Sequence, residues 1–175
     1  GRYDKVKLVP LGEYIPLQST LGKLVGRLSP IQSNMLPGQS RQIFTTPVGQ
    51  AIAGICYESG FPGPFRAQAA AGGTLIITAS NNDPYPTTMM AQHHAQDILR
   101  AVESDRWAVR ATNTGYSGIV DPHGRTRWRS EANVYLSQLA TVEQRTSQTP
   151  YVRWGDWLTP TLVFLGGLSL LWPRP

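Results

Sequence analysis

The run Ala51-Ile52-Ala53-Gly54-Ile55-Cys56 is small and apolar throughout, and the turn-forming Gly60-Phe61-Pro62-Gly63 follows soon after. A short apolar run closed by glycine and proline reads as a buried strand ending in a sharp turn. Cys56, at its tip, is the only cysteine of the 175 residues. A strand tip opening into a sharp turn presents a nucleophile at the edge of a sheet. Far upstream, Lys5 and Glu13 share one short strand-to-turn segment that ends at Pro16. A thiol attacks only as thiolate, and a nearby ammonium favours that form, so Cys56 with Lys5 points to thiol acyl chemistry.

The rest of the chain alternates. Lys5 to Val9 reads as a strand ended by Pro10 and Gly12. Leu17, Leu21, Leu24, Val25 and Leu28 recur at helical spacing and predict a short amphipathic helix closed by Ser29-Pro30, packed on its own domain or lying at a membrane interface. Residues 30–40 form a loop, and Gln42 to Thr46 and Ala51 to Cys56 pair across Pro47-Gln50. A helix is expected from Phe65 to Ala71, then a fully buried strand from Thr74 to Ala79 with the polar loop Ser80-Pro86 at its carboxyl end. A long helix over Thr87–Ser104 precedes a strand at Trp107–Thr112. The hairpin Tyr116–Val120/Arg125–Arg129 and a last strand near Val134–Val142 complete an α/β domain.

Sixteen Lys and Arg against 11 Asp and Glu give a net charge of +5. The 13 arginines are scattered, with no basic block and no zinc spacing, so the charge suits anionic headgroups at least as well as nucleic acid, and no nucleic-acid partner is expected. Arg125, Arg127 and Arg129 alternate on one strand face, ordinarily a solvated one. One cysteine excludes an internal disulfide. His93 and His94 have no acid or thiol at ligand spacing, so no metal is expected. Leu158 to Trp172 carries no charge and has Trp154, Trp157 and Trp172 about its ends. Its 15 residues fall short of the roughly 20 of a spanning helix. A spanning or half-spanning membrane helix with Arg174 on the cytoplasmic side is expected, and a buried core helix is the alternative.

Several stretches together resemble the carbon–nitrogen hydrolase (nitrilase) superfamily, and within it the apolipoprotein N-acyltransferases. Tyr3-Asp4-Lys5 with Leu8 to Pro16 is similar to the family's lysine motif, and Gly54-Ile55-Cys56-Tyr57-Glu58 to its nucleophile motif. Arg100-Glu103 and Arg110-Gly118 resemble the helix and strand that follow, and Tyr151-Trp157 the stretch before the last membrane helix. The loop Ser80-Pro86 departs from the family's pattern, and the family's general-base glutamate lies upstream of the lysine motif, outside these residues.

The resemblance implies the C-terminal fragment of a longer bacterial membrane enzyme. Its expected fold is α/β: part of a nitrilase-type α-β-β-α sandwich over residues 1–150, then a linker and C-terminal transmembrane segment over 151–175. The implied reaction moves a fatty acyl chain from a phospholipid, through a thioester on Cys56, to the amine of a diacylglyceryl-cysteine lipoprotein. Lys5 would stabilise the oxyanion, and Glu13, Tyr57 and Glu58 would support the site or bind substrate. Asn113 and Gly115 would shape a nearby loop. No cofactor, a monomeric state and a periplasmic catalytic face at the inner membrane are expected. A soluble amidase of the same superfamily and a non-catalytic membrane-associated remnant are the alternatives. On ordinary grounds Cys56 would be an inert buried thiol, Lys5 a solvated charge, Glu13 an exposed acid, and Tyr57 and Glu58 elbow packing.

Overall fold

The computed structural model describes residues 1–17, 34–39 and 42–171. The expected helix over residues 17–28, and Trp172 and Arg174, fall almost wholly outside them. Among the described residues six strands form one mixed sheet in sequential order: β1 Phe44–Thr46, β2 Gly49–Ile55, β3 Ile76–Ser80, β4 Ala108–Thr112, β5 Gly118–Val120 and β6 Thr126–Arg129. The β2–β3 and β3–β4 pairs are parallel and the others antiparallel. Helix α1, Pro62–Ala70, crosses from β2 to β3, and α2, Thr87–Ser104, crosses from β3 to β4. A parallel pair requires such crossovers.

The register explains the core. Ile52, Ile76, Ala108 and Val120 stand opposite one another across four strands. All four are buried, and they form one cluster with Phe65 and Ala69 of α1, Ala101 of α2 and Val152. In the neighbouring row Ala53 and Ile119 are buried at the two ends, whereas Ile77 and Val109 between them are only half-buried. The expected fully buried strand at Thr74–Ala79 is therefore an alternating one, with Ile76 and Thr78 buried and Ala79 exposed. Among the described residues, helices cover one face of the sheet.

Two expected strands are absent. Lys5–Val9 has no strand pairing, because its amides go to side chains, as described below. Val134–Val142 is extended chain outside the sheet, with Tyr135 and Leu139 almost wholly exposed.

Beyond the sheet a strap returns to the helices. Arg106 donates to the carbonyl of Ser147 at 2.7 Å, Thr149 Oγ1 to that of Glu103 at 2.6 Å, and Arg66 Nε to that of Tyr151 at 2.9 Å. The short helix α3, Pro150–Trp154, is thereby docked against α1 and α2, with Val152 in the core. Helix α4, Leu158–Leu171, follows, with Leu162, Val163 and Phe164 exposed. No helix among the described residues is long and apolar enough to cross a membrane, so the expected spanning segment is not seen there.

Candidate active site

Cys56 directly follows β2 and begins a 3-10 turn, Cys56–Gly60, with φ at 53°. A left-handed backbone is uncommon for any residue but glycine and is held only where the surroundings over-determine it. The turn therefore throws the thiol out of the line of the strand, at the carboxyl end of a parallel pair, where open α/β sheets gather their sites. Cys56 is 8% exposed, and its thiol lies 3.7 Å from the carbonyl of Asn81, on the loop leaving β3.

Glu58 is fully buried and is the hub of the site. Its Oε1 accepts the backbone N–H of Val6 at 2.7 Å and of Lys7 at 3.0 Å, and its Oε2 accepts that of Ile55 at 2.8 Å. Tyr3 donates its hydroxyl to both oxygens, at 3.1 and 3.2 Å. Burial, followed by the Glu58 charge and this hydrogen bond, pushes the Tyr3 phenol well above its usual range. One carboxylate thus fastens the lysine segment to the elbow, its charge matched by four donors at close range.

Lys5 and Glu13 meet in an ion pair. Lys5 is buried, and its ammonium donates to Glu13 Oε1 at 2.5 Å. Glu13 Oε2 accepts the Val9 N–H at 2.8 Å, closing a turn that Leu11 passes at φ 62°. Gln42 holds the segment from its other side, accepting from the Asp4 N–H at 2.8 Å and donating to the Asp4 carbonyl at 2.7 Å. Tyr57 packs edge-on against Phe61 at 4.9 Å, and the Lys7 ammonium sits over the same Phe61 ring at 5.6 Å. Tyr57 and Glu58 therefore do pack the elbow, and Glu58 does so by reaching the lysine segment.

Tyr85 belongs to the site and is missed by sequence reasoning. Burial raises its phenol pKa, and the charges of Cys56 and then Glu13 raise it further. It packs edge-on against His93 of α2 at 5.7 Å. The signal available in the sequence is position: the loop 81–86 leaves the carboxyl end of β3, next to the strand that carries Cys56. Asn113 secures that loop, its Oδ1 accepting the Asn82 N–H at 2.9 Å and its Nδ2 donating to Asn81 at 2.7 Å. A Cβ on Gly115 would come within 2.8 Å of Asn82, so close approach demands glycine there.

His93 and His94 are both buried in the helix face. Burial lowers both pKa values, and Arg110 lowers that of His93 further. Among the described residues no cluster of three metal-ligating side chains occurs. Arg125 and Arg127 both pair with the buried Asp121, and Arg129 stacks on Tyr116 at 4.4 Å, so the alternating arginines are engaged within the hairpin.

A thiol on a strained turn, with a buried lysine and its glutamate partner fastened to it, is the arrangement on which family membership can be judged. A family model of the carbon-nitrogen hydrolases matches residues 1–147. The chain belongs to the carbon-nitrogen hydrolase family. Among its relatives, this carbon-nitrogen hydrolase is 58% identical to an apolipoprotein N-acyltransferase of Nostoc sp., over 98% of this chain and 35% of the relative. It is 49% identical to that of Synechocystis sp., over 98% of this chain and 33% of the relative. With that of Pseudomonas aeruginosa it shares 36% identity, over 98% of this chain and 33% of the relative. The chain spans about a third of the length of the curated relatives it matches.

Solved structures agree on the fold. The C. elegans NitFhit protein matches at a TM-score of 0.57 and 22% identity, over 75% of this chain and 32% of that one. An amidase from Nesterenkonia sp., with the acetamide moiety of fluoroacetamide added covalently at its active-site cysteine, matches at 0.52 and 22% identity, over 75% of this chain and 46% of that one.

Proposed function

We propose that this chain is the catalytic part of an apolipoprotein N-acyltransferase, moving a fatty acyl group from a phospholipid to the amine of a lipoprotein's diacylglyceryl-cysteine. The observation that carries the chemistry is the fastening of the Lys5–Glu13 pair to the Cys56 elbow through Glu58. The acceptor class rests on the names of the relatives.

In this reading the Cys56 thiol first gives its proton to a general base, in this family a glutamate ahead of the lysine motif. The thiolate so formed attacks the ester carbonyl of the phospholipid, forming the C–S bond. The Lys5 ammonium, oriented by Glu13, stabilises the oxyanion of the tetrahedral intermediate, and such preorganised charge is commonly the largest catalytic contribution. Collapse breaks the C–O bond, and the lysophospholipid leaves with a proton as an alcohol. The acceptor amine then attacks the thioester and gives up a proton to the same base, forming the amide C–N bond and breaking the C–S bond to return the thiolate. Splitting acyl transfer in two is what covalent catalysis offers. The loop bearing Tyr85 reaches the thiol through the Asn81 carbonyl, 3.7 Å away.

The exposed apolar residues of α4, with Trp154 and Trp157 near its start, support contact with lipid, where the donor resides. We assign residues 1–150 to the acyl-transfer domain and 151–175 to a linker and membrane-anchoring segment, with the domain on the periplasmic side of a bacterial inner membrane.

Mass spectrometry of the full-length protein after incubation with phospholipid tests the reading. An acyl adduct on Cys56 that is absent from Cys56→Ser, and that is discharged by a diacylglyceryl-cysteine peptide, is expected. Discharge to water at the same rate with or without the peptide would replace the transferase with a hydrolase. Adduct formation in the serine variant would remove Cys56 as nucleophile.

A further inference from the structure

A second buried charge network joins the elbow turn to β3, α2 and β4. Arg110 of β4, Asp97 of α2 and Ser59 of the elbow turn are each 4% exposed or less. Arg110 donates from Nη2 to Asp97 Oδ1 at 2.8 Å and to Ser59 Oγ at 2.7 Å. Its Nε pairs with Asp97 Oδ2, and its Nη1 bonds Ser80 Oγ at the end of β3. Ser59 Oγ donates in turn to Asp97 Oδ1 at 2.9 Å, and Arg100 holds the Ser59 carbonyl at 2.8 Å.

The positions of the two serines give the network its meaning. Ser59 sits in the turn that Cys56 begins, and Ser80 directly precedes Asn81, whose carbonyl faces the thiol. A single guanidinium therefore grips both the turn that carries the nucleophile and the strand end that leads into the loop over it. A planar fork can do this and an ammonium cannot, since it presents fixed parallel donors rather than a point charge. A buried ion pair is weak as a source of stability and is best attested as a device that selects one arrangement. The arrangement that needs selecting is the left-handed backbone of Cys56.

We propose that Arg110, braced by Asp97, is a positioning residue: through Ser59 and Ser80 it holds Cys56 in its left-handed conformation and so sets the trajectory of the thiol. The kinetic part of this proposal rests on the acyl-transfer reading above; the conformational part does not.

The test uses Arg110→Lys, which keeps the charge, and Ser59→Ala, which leaves the Arg110–Asp97 pair in place, both in the full-length protein. Two quantities are read: the 13Cα and 13Cβ shifts of Cys56 in 13C-cysteine-labelled protein, assigned by their loss in Cys56→Ser, and the single-turnover acylation of Cys56 by phospholipid vesicles, normalised to folded protein. Both variants are expected to move the Cys56 shifts away from left-handed values. Acylation should slow by on the order of 10²-fold in Arg110→Lys, the loss typical of a small misplacement, with half-saturating donor unchanged. Shifts unchanged in both variants overturn the proposal whatever the enzyme acylates. Moved shifts with an unchanged acylation rate overturn its kinetic part. A wild-type protein that forms no adduct refutes the acyl-transfer reading alone, and the shifts still decide the conformational claim.

Discussion

Glu58 Oε1 accepts the backbone N–H of Val6 at 2.7 Å, so a carboxylate next but one to the thiol holds the residue next to the lysine. The two halves of the site, far apart in sequence, meet in that bond and in its neighbours on Lys7, Ile55 and Tyr3.

Glu58→Gln is expected to be the most damaging conservative change at the site. A neutral amide presents an NH2 where the carboxylate presents an acceptor, which leaves a buried backbone N–H without a partner at about 1–3 kcal/mol. A fall in the denaturation midpoint together with loss of Cys56 acylation checks this. Wild-type acylation in the variant would show that the lysine segment docks without the carboxylate.

Tyr3→Phe removes one donor from the same carboxylate and keeps the ring. Its cost should be about 1 kcal/mol, well below that of Glu58→Gln, because the three backbone donors stay in place. Urea denaturation of both variants side by side gives the ranking, and the reverse order would move the hub from Glu58 to Tyr3.

Gly54→Ala should destabilise by about 1–3 kcal/mol through overpacking. A Cβ there would lie 2.4 Å from Phe65 Cζ, and Phe65 is 1% exposed, so the ring has little room to retreat. Trimming the obstacle in Gly54→Ala/Phe65→Leu should recover part of the loss. Strictly additive losses in a double-mutant cycle would rule out the clash as the cause.

His93 and His94 have folded pKa values below their unfolded ones, chiefly through burial. Each therefore adds stability that is fully present above about pH 6.5 and is lost as pH falls toward the folded value. Stability should decline from pH 7 to pH 5, with a slope approaching ~1.4 kcal/mol per pH unit for each histidine. Urea midpoints across that range check it: His93→Gln should flatten the slope, and an identical slope in the variant would mean that His93 titrates normally.

The sequence reveals those parts of the fold whose signal is local. The helix Thr87–Ser104 and the hairpin about Asp121-Gly124 stand where periodicity and turn residues place them. So does β2 as far as Ile55, and the sharp turn at Cys56 follows. Lys5–Val9 misleads because what organises it is Glu58, distant in the chain and invisible to any window of periodicity. Val134–Val142 has strand-like residues but no neighbouring strand among those described, and strand preference is a preference for a surface to pair with. Of the site, Lys5, Glu13, Cys56 and Glu58 are legible from motif alone, whereas Tyr85 enters through where its loop emerges. The Arg110 network has no sequence signature, since its members come from the elbow, β3, α2 and β4.

The strap formed by Arg66, Thr149 and Arg106 bears on distance. It pins α3 against α1, and α1 starts directly beyond the turn that carries Cys56. The path from the thiol to the end of α3 at Trp154 therefore runs through docked elements, and Gly155, Asp156 and Trp157 join it to α4. As far as that joint the placement of the sulfur is built in like the fixed arm of a gauge. Any change in its height relative to α4 has to come from those three residues.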